Sequence, residues 1–243
     1  MKLSICFIFF LISGILFSQE NTDTTRKKLK ASCVFSINSN GISSIPAFSL
    51  GDPAIMAAVG LAKGRFSFDP VLAYDLEMKP WFFDSWVHYL IINKPAFKLR
   101  TGINFSMYFS DLLLPEDEIV LQGQRYWAFE LAGIYNFNPK TSLTVLVWND
   151  RGQDPGTITG LYTSVAIDRS EIPVAKRILL AGNLQIFNIA YDGNNDGLFI
   201  SPRIAVSDKK VPVSVFFQAI QPVTTNISPY PGFKWNLGAS YSF

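Results

Sequence analysis

The chain has 243 residues, of which 49% are hydrophobic, 14% aromatic and only 16% charged, with a formal net charge of +2. Its one basic group, Arg26-Lys27-Lys28 with Lys30, reads as a solvated tail, so nothing in the charge calls for nucleic acid as a partner. Beyond the N-terminus no apolar run approaches the ~18 residues of a membrane helix, and a single His with two Cys excludes a zinc site of the usual kind.

The chain opens on Lys2, an almost continuous apolar stretch over 5–17, and Ser18 before Gln19. That pattern predicts a cleaved signal peptide at 1–18, a periplasmic tail at 19–28 and a single domain at 29–243. Cys6 lies too early in the apolar run to carry a lipid anchor. After cleavage Cys33 stands alone, and its apolar neighbours predict burial rather than reactivity.

From residue 29 onward the hydrophobicity is dispersed with period two. Candidate strands fall at 29–38, 55–62, 66–76, 83–92, 97–110, 126–137, 141–148, 161–168, 177–190, 198–207, 211–220 and 233–243. The fifth is the clearest. Phe97, Leu99, Thr101, Ile103, Phe105, Met107 and Phe109 alternate with Lys98, Arg100, Gly102, Asn104, Ser106, Tyr108 and Ser110. In the sixth, Trp127, Phe129, Leu131, Gly133, Tyr135 and Phe137 alternate with Tyr126, Ala128, Glu130, Ala132, Ile134 and Asn136. Every second connection is tight: Lys63-Gly64, Asn93-Lys94-Pro95, Asn138-Pro139-Lys140 and Asp208-Lys209-Lys210, with 169–175 somewhat longer. The others, at 39–53, 77–83, 111–123, 149–157, 191–197 and 221–232, read as longer surface loops.

In the last strand, Phe233, Trp235, Leu237, Ala239, Tyr241 and Phe243 fall on one face, and Lys234, Asn236, Gly238, Ser240 and Ser242 on the other. A final strand with aromatics near both ends of its apolar face, closing on Phe, resembles the closing strand of Gram-negative outer-membrane β-barrels of a group without assigned activity. The resemblance implies an all-β, transmembrane, antiparallel up-and-down barrel of about twelve strands, with ten or fourteen as alternatives, in the outer membrane. It also implies outer-membrane lipid and the barrel-assembly machinery as partners, with Tyr241 and Phe243 in the assembly signal.

A soluble β-sandwich alternates in the same way. Aromatics at strand ends, Phe97 with Phe109, Tyr135 with Phe137 and Trp235 with Tyr241, favour the barrel because they would form two interfacial girdles.

No catalytic constellation emerges, and no enzyme activity or cofactor is expected. The only histidine, His88, lies three residues from Ser85, on the opposite strand face, so the pair cannot act as base and nucleophile. The residues expected to line the lumen are Asp69, Asp75, Lys98, Arg100, Glu130, Asp168, Arg177 and Arg203, with Glu77 beside them. Both signs are present. Arg100 can oppose Glu130, and Asp168 and Arg177 flank one short connection. The set reads first as a salt-bridged filling and second as a selectivity lining for a small polar solute. Residues 192–197 (DGNNDG) open like a calcium loop, but Arg203 stands at the twelfth position, so an ordinary hairpin tip is expected and no metal is assigned. The loop 111–123 joins three leucines to Glu116-Asp117-Glu118 and reads either as a lid or partner contact or as an ordinary surface loop with its leucines tucked on the rim, and 79–83 carries the same two readings, its aromatics simply anchoring the outer interface in the second. The leading expectation is a narrow or gated conduit or binding barrel for a small solute. The alternative is a non-conducting structural or adaptor barrel docking another envelope component.

Overall fold

The computed structural model describes residues 28–193 and 195–243. The expected signal peptide and nearly all of the expected tail lie outside the described residues. Twelve antiparallel strands follow one another around a closed barrel: β1 (Lys30–Asn38), β2 (Ala54–Lys63), β3 (Phe66–Asp75), β4 (Pro80–Asn93), β5 (Phe97–Leu113), β6 (Ile119–Asn138), β7 (Thr141–Gly152), β8 (Thr159–Pro173), β9 (Ile178–Tyr191), β10 (Asn195–Asp208), β11 (Val213–Thr225) and β12 (Lys234–Ser242). Closure comes from β1 and β12, paired from Val34↔Ser242 to Asn38↔Gly238, and the Phe243 N–H donates to the Cys33 carbonyl at 2.9 Å. A closed ladder leaves no open edge, and so no unpaired row of backbone groups in lipid.

The alternation sets the two faces. Outside, Leu131, Val145, Val165, Ile167, Leu184, Ile186, Ile204, Val215 and Leu237 are exposed, a band that only an apolar solvent would cover favourably. Aromatics edge the band at both ends, with Phe66, Phe97, Tyr135, Phe137 and Tyr241 near the tight turns, and Trp127, Phe233 and Trp235 toward the opposite rim. This exterior is that of a membrane-spanning barrel and excludes the sandwich. Cys33 is partly buried on this outer face with Phe35 and Ile37, and not in a core. The expected burial is corrected by its parity, since Ser32, Val34 and Ser36 take the inward positions.

Several expected loops are strand. The ladder of β5 with β6 runs without a break from Phe97↔Tyr135 to Leu113↔Ile119, so 111–123 is a rising hairpin whose turn is only 114–118. Leu113 and Ile119 are exposed on it and not tucked against the rim. Likewise β4 begins at Pro80 and β7 continues to Gly152, which turns 80–83 and 149–152 into barrel wall. Turn-rich composition hid these extensions, because paired backbone groups reward strand wherever a neighbour is present.

The loop 39–53 departs most from expectation. It folds inward instead of standing over the surface. A short 3-10 helix, Pro46–Phe48, carries Ile45 and Phe48 into the lumen, where both are buried against side chains of β6, β8, β9, β10 and β11. The loop is ordered by Leu50 N–H to the Gly41 carbonyl and Gly41 N–H to the Asp52 carbonyl, both at 2.8 Å. The Trp81 indole N–H donates to the Phe48 carbonyl at 2.9 Å. Gly41 is required by proximity: a Cβ there would lie 2.8 Å from the Leu50 Cβ and 3.0 Å from the Trp81 ring. Trp81 is therefore a buried post for this loop and not the interface anchor expected of it.

Candidate functional site: a two-zone lumen

The inward residues divide the lumen into two zones. Toward the tight turns the wall is polar and charged. On one side, Asp69 of β3 accepts from the Ser67 hydroxyl at 2.7 Å and hydrogen-bonds His88 Nδ1 of β4 at 2.8 Å. His88 Nε2 faces Glu130 Oε1 of β6 at 3.6 Å, and that same oxygen accepts from Arg100 Nε and Nη2 of β5, each at 2.8 Å. Four strands are thus joined through one line of alternating acidic and basic side chains. Gly102 makes the line possible, since a Cβ there would sit 2.5 Å from His88 Cδ2 and push the imidazole off the strand between it and Glu130. The ring also stacks on Trp86, centroids 5.3 Å apart and 3° from parallel.

On the opposite wall Asp168 accepts from Asn183 Nδ2 at 2.8 Å, and the Arg203 guanidinium lies 4.2 Å over the Phe216 ring. Asp168, Asn183 and Arg203 border a cavity of 150 Å³. The expected opposition of Asp168 and Arg177 does not occur. Arg177 precedes β9 at the rim and pairs with Asp208 at 3.0 Å, because the register sets Asp208 opposite Ile178, next to Arg177, and sets Asp168 farther along the strand opposite Asn183. Lys98 stands at the same inner rim, in a depression with Pro95 and Asn136. Asp75 is at the far end of β3, where its Oδ1 accepts from the N–H groups of Glu77 and Lys79 at 2.9 and 2.8 Å and shapes the turn, and Glu77 is exposed in that turn. Tyr241 and Phe243 lie outside the lumen altogether, their rings 4.6 Å apart on the outward face.

Toward the loop side the lumen is aromatic, where a salt-bridged filling was expected throughout. An arc of inward rings passes from Trp86 to Trp148 (5.9 Å), to Tyr162 (4.2 Å), to Phe187 (5.4 Å) and to Phe199 (5.1 Å), crossing β4 and β7 to β10. Phe48 of the inward loop stacks on Tyr108 at 4.0 Å and 20°, with Tyr126 edge-on at 5.1 Å. Two buried polar sets interrupt the rings. Asp150 accepts from Trp148 Nε1 at 3.0 Å and from the Tyr191 hydroxyl, and Asp84 accepts from Asn104 Nδ2 at 3.3 Å. Above this zone a cavity of 330 Å³ opens at the mouth, bordered by Phe48, Asp52, Trp81, Tyr108, Asp111 and Gln124.

Asp150, Tyr108, Tyr126, Trp148 and Tyr162 were not among the expected site residues. Tyr108 and Tyr126 occupy the polar phase of the alternation, and that phase is the signal that could have found them. Asp150 was hidden by the loop reading of 149–157. The 192–197 tip engages its neighbours: the Asp192 carboxylate accepts from Thr159 N–H at 3.2 Å, and Asp196 Oδ2 accepts from Asn226 Nδ2 at 3.5 Å.

No family model matches the sequence, and no curated protein matches it. Among solved structures the chain is similar to the KdgM porin, at 9% identity and a TM-score of 0.56 over 87% of this chain and 99% of that one. The KdgM porin in complex with disordered oligogalacturonate is similar to the same extent. An outer-membrane channel from Pseudomonas putida F1 has 10% identity and a TM-score of 0.49 over 92% of this chain and 99% of that one. The likeness to KdgM is one of fold, a barrel matched over almost its whole length.

Proposed function

We propose that the protein is a non-enzymatic outer-membrane barrel that conducts a small polar solute and is gated by its inward loop. The observation that carries this reading is the seating of Ile45 and Phe48 inside the lumen, held by neutral hydrogen bonds, among them the Trp81 indole to the Phe48 carbonyl, and by apolar contacts rather than by covalent or ionic ties. Such contacts can be left and re-formed without breaking the barrel wall. Beneath the loop, the charged wall of Asp69, His88, Glu130 and Arg100 supplies a polar path toward the tight-turn side. The N-terminal apolar run and the porin-like fold support placement in the outer membrane, with the tight turns in the periplasm. The non-enzymatic reading is supported by His88, whose two ring nitrogens both face carboxylates, while the neighbouring Ser67 hydroxyl donates to Asp69 and not to the imidazole.

Conductance across planar bilayers tests the proposal. The parent is expected to open rarely, and a variant with 42–50 replaced by a Gly/Ser segment of equal length is expected to conduct at least about tenfold more, as removal of a closed state requires. A correctly folded loop variant that stays silent would overturn gating and favour the structural or adaptor barrel.

A further inference from the structure

We propose that the face of Tyr108 now covered by Phe48 is a binding surface for a neutral pyranose sugar, and that the loop 39–53 competes with the sugar for it. The inference rests on the gated-conduit reading and names the class of solute. A pyranose has a flat C–H face and a rim of hydroxyls, so it is recognised by an aromatic plane with short polar side chains around its edge. The mouth cavity offers that combination. Phe48 lies 4.0 Å from Tyr108 and 20° from parallel, the placement a sugar ring would take, and Ser49, Ser110 and Gln124 border the same space. Phe48 is therefore a ring-shaped occupant supplied by the chain itself.

Charge decides against an acidic sugar. The cavity is bordered by Asp52, Asp75 and Asp111 and by one cation, Lys79, whose ammonium is already engaged by Asp111 at 2.5 Å. Asp75 is occupied by its turn, and among the described residues no cation is paired with Asp52. An anionic ligand would meet uncompensated like charge there. A fatty acid fits no better, because its chain needs a continuous apolar tunnel, and the lining here alternates rings with serines, carboxylates and an amide.

The test measures binding of maltohexaose to the full-length barrel in detergent by titration calorimetry. The parent is expected to bind weakly, because most molecules hold the loop in place. Phe48→Ala, which removes the competitor, is expected to bind at least about tenfold tighter, since apparent affinity rises with the competent fraction. Tyr108→Ala is expected to bind about tenfold more weakly, and Tyr108→Leu, which keeps apolar volume without a flat ring, should behave alike and guard against a folding defect. An acidic hexasaccharide is expected not to bind. The proposal is overturned if Phe48→Ala binds maltohexaose no better than the parent, or if the acidic hexasaccharide or palmitate binds in its place. Because no flux is measured, the two readings separate. Maltohexaose binding by a barrel that never conducts would refute the conduit and leave the sugar surface, and conduction without maltohexaose binding would do the reverse.

Discussion

Removing either partner of the Arg100–Glu130 pair probes whether the charged zone is packed or wet. The Glu130 side chain is 4% exposed and that of Arg100 30%, so the two changes are not equivalent. Arg100→Ala strands a nearly buried carboxylate with only the more distant His88 Nε2, at 3.6 Å, to oppose it. Breaking a buried pair in this way costs about 3–5 kcal/mol in a dry site, and the partial exposure of Arg100 places the expected value near the lower end, at about 3 kcal/mol. Glu130→Ala leaves a cation that can turn toward the lumen, so about 2 kcal/mol is expected, the worth of charge-assisted hydrogen bonds. The double variant removes both charges and should lose little more than Arg100→Ala alone, giving a coupling energy of about 2 kcal/mol in a double-mutant cycle. Urea unfolding of the barrel in lipid vesicles, followed by tryptophan fluorescence and by the heat-dependent gel shift of folded barrels, reads these differences. A coupling below about 0.5 kcal/mol would refute the reasoning, because only solvent screening reduces a pair of this geometry so far.

Two further outcomes are expected. The Asp154 carboxyl, in the turn between β7 and β8, is held below the usual carboxylate range by hydrogen bonds from the Arg125 side chain and then from its backbone N–H. Its contribution to ordering that turn is therefore complete above the ordinary carboxylate pKa and lost only as pH falls through the lowered value. Carboxyl carbon NMR should show its midpoint rising toward the ordinary value in Arg125→Gln, and an unchanged midpoint would exclude the pairing as cause. Deleting Phe243, which packs on Tyr241 on the lipid face, removes one aromatic worth about 1.5–3 kcal/mol of burial, too little to unfold a closed barrel. Refolding in vitro should survive, while surface assembly in cells should fall if Tyr241 and Phe243 belong to an assembly signal, and normal surface display of the truncated chain would remove that role.

The wall was legible in the sequence and the contents of the lumen were not. Lipid on one side and a ladder on both edges impose period two on every strand, so Phe97 to Phe109 and Trp127 to Phe137 could be assigned to a face from spacing alone. Nothing comparable governs 39–53. Its Ile42, Ile45, Phe48 and Leu50 have no strict period; the first three depend for burial on side chains brought from β5 to β11 by closure of the whole barrel, and Leu50 packs with Ala54, Ala73 and Trp81 of β2 to β4. The same non-local cause moved Arg177 from Asp168 to Asp208. Pair choices of this kind depend on stagger between strands, which sequence spacing does not carry.

The two zones bear on how such a gate can work. Seating Ile45 and Phe48 removes two large apolar side chains from water, worth about 3–6 kcal/mol together. Ordering the loop backbone opposes this, and the hydrogen bonds between Gly41, Leu50 and Asp52 offset part of that cost. Burial and ordering oppose each other, and for a gate the closed state need be favoured only by a small difference between them. A gap of about 3 kcal/mol corresponds to an open fraction somewhat under one per cent, low enough to keep the lumen shut at rest. It is also within reach of a ligand that binds only the open form, provided its affinity for that form exceeds its affinity for the closed one by the same factor. A gate built on covalent or multiply ionic ties could not be moved by the binding energy of a single sugar ring. One built on a phenylalanine resting on a tyrosine can, because what leaves and what arrives make contacts of the same kind and size.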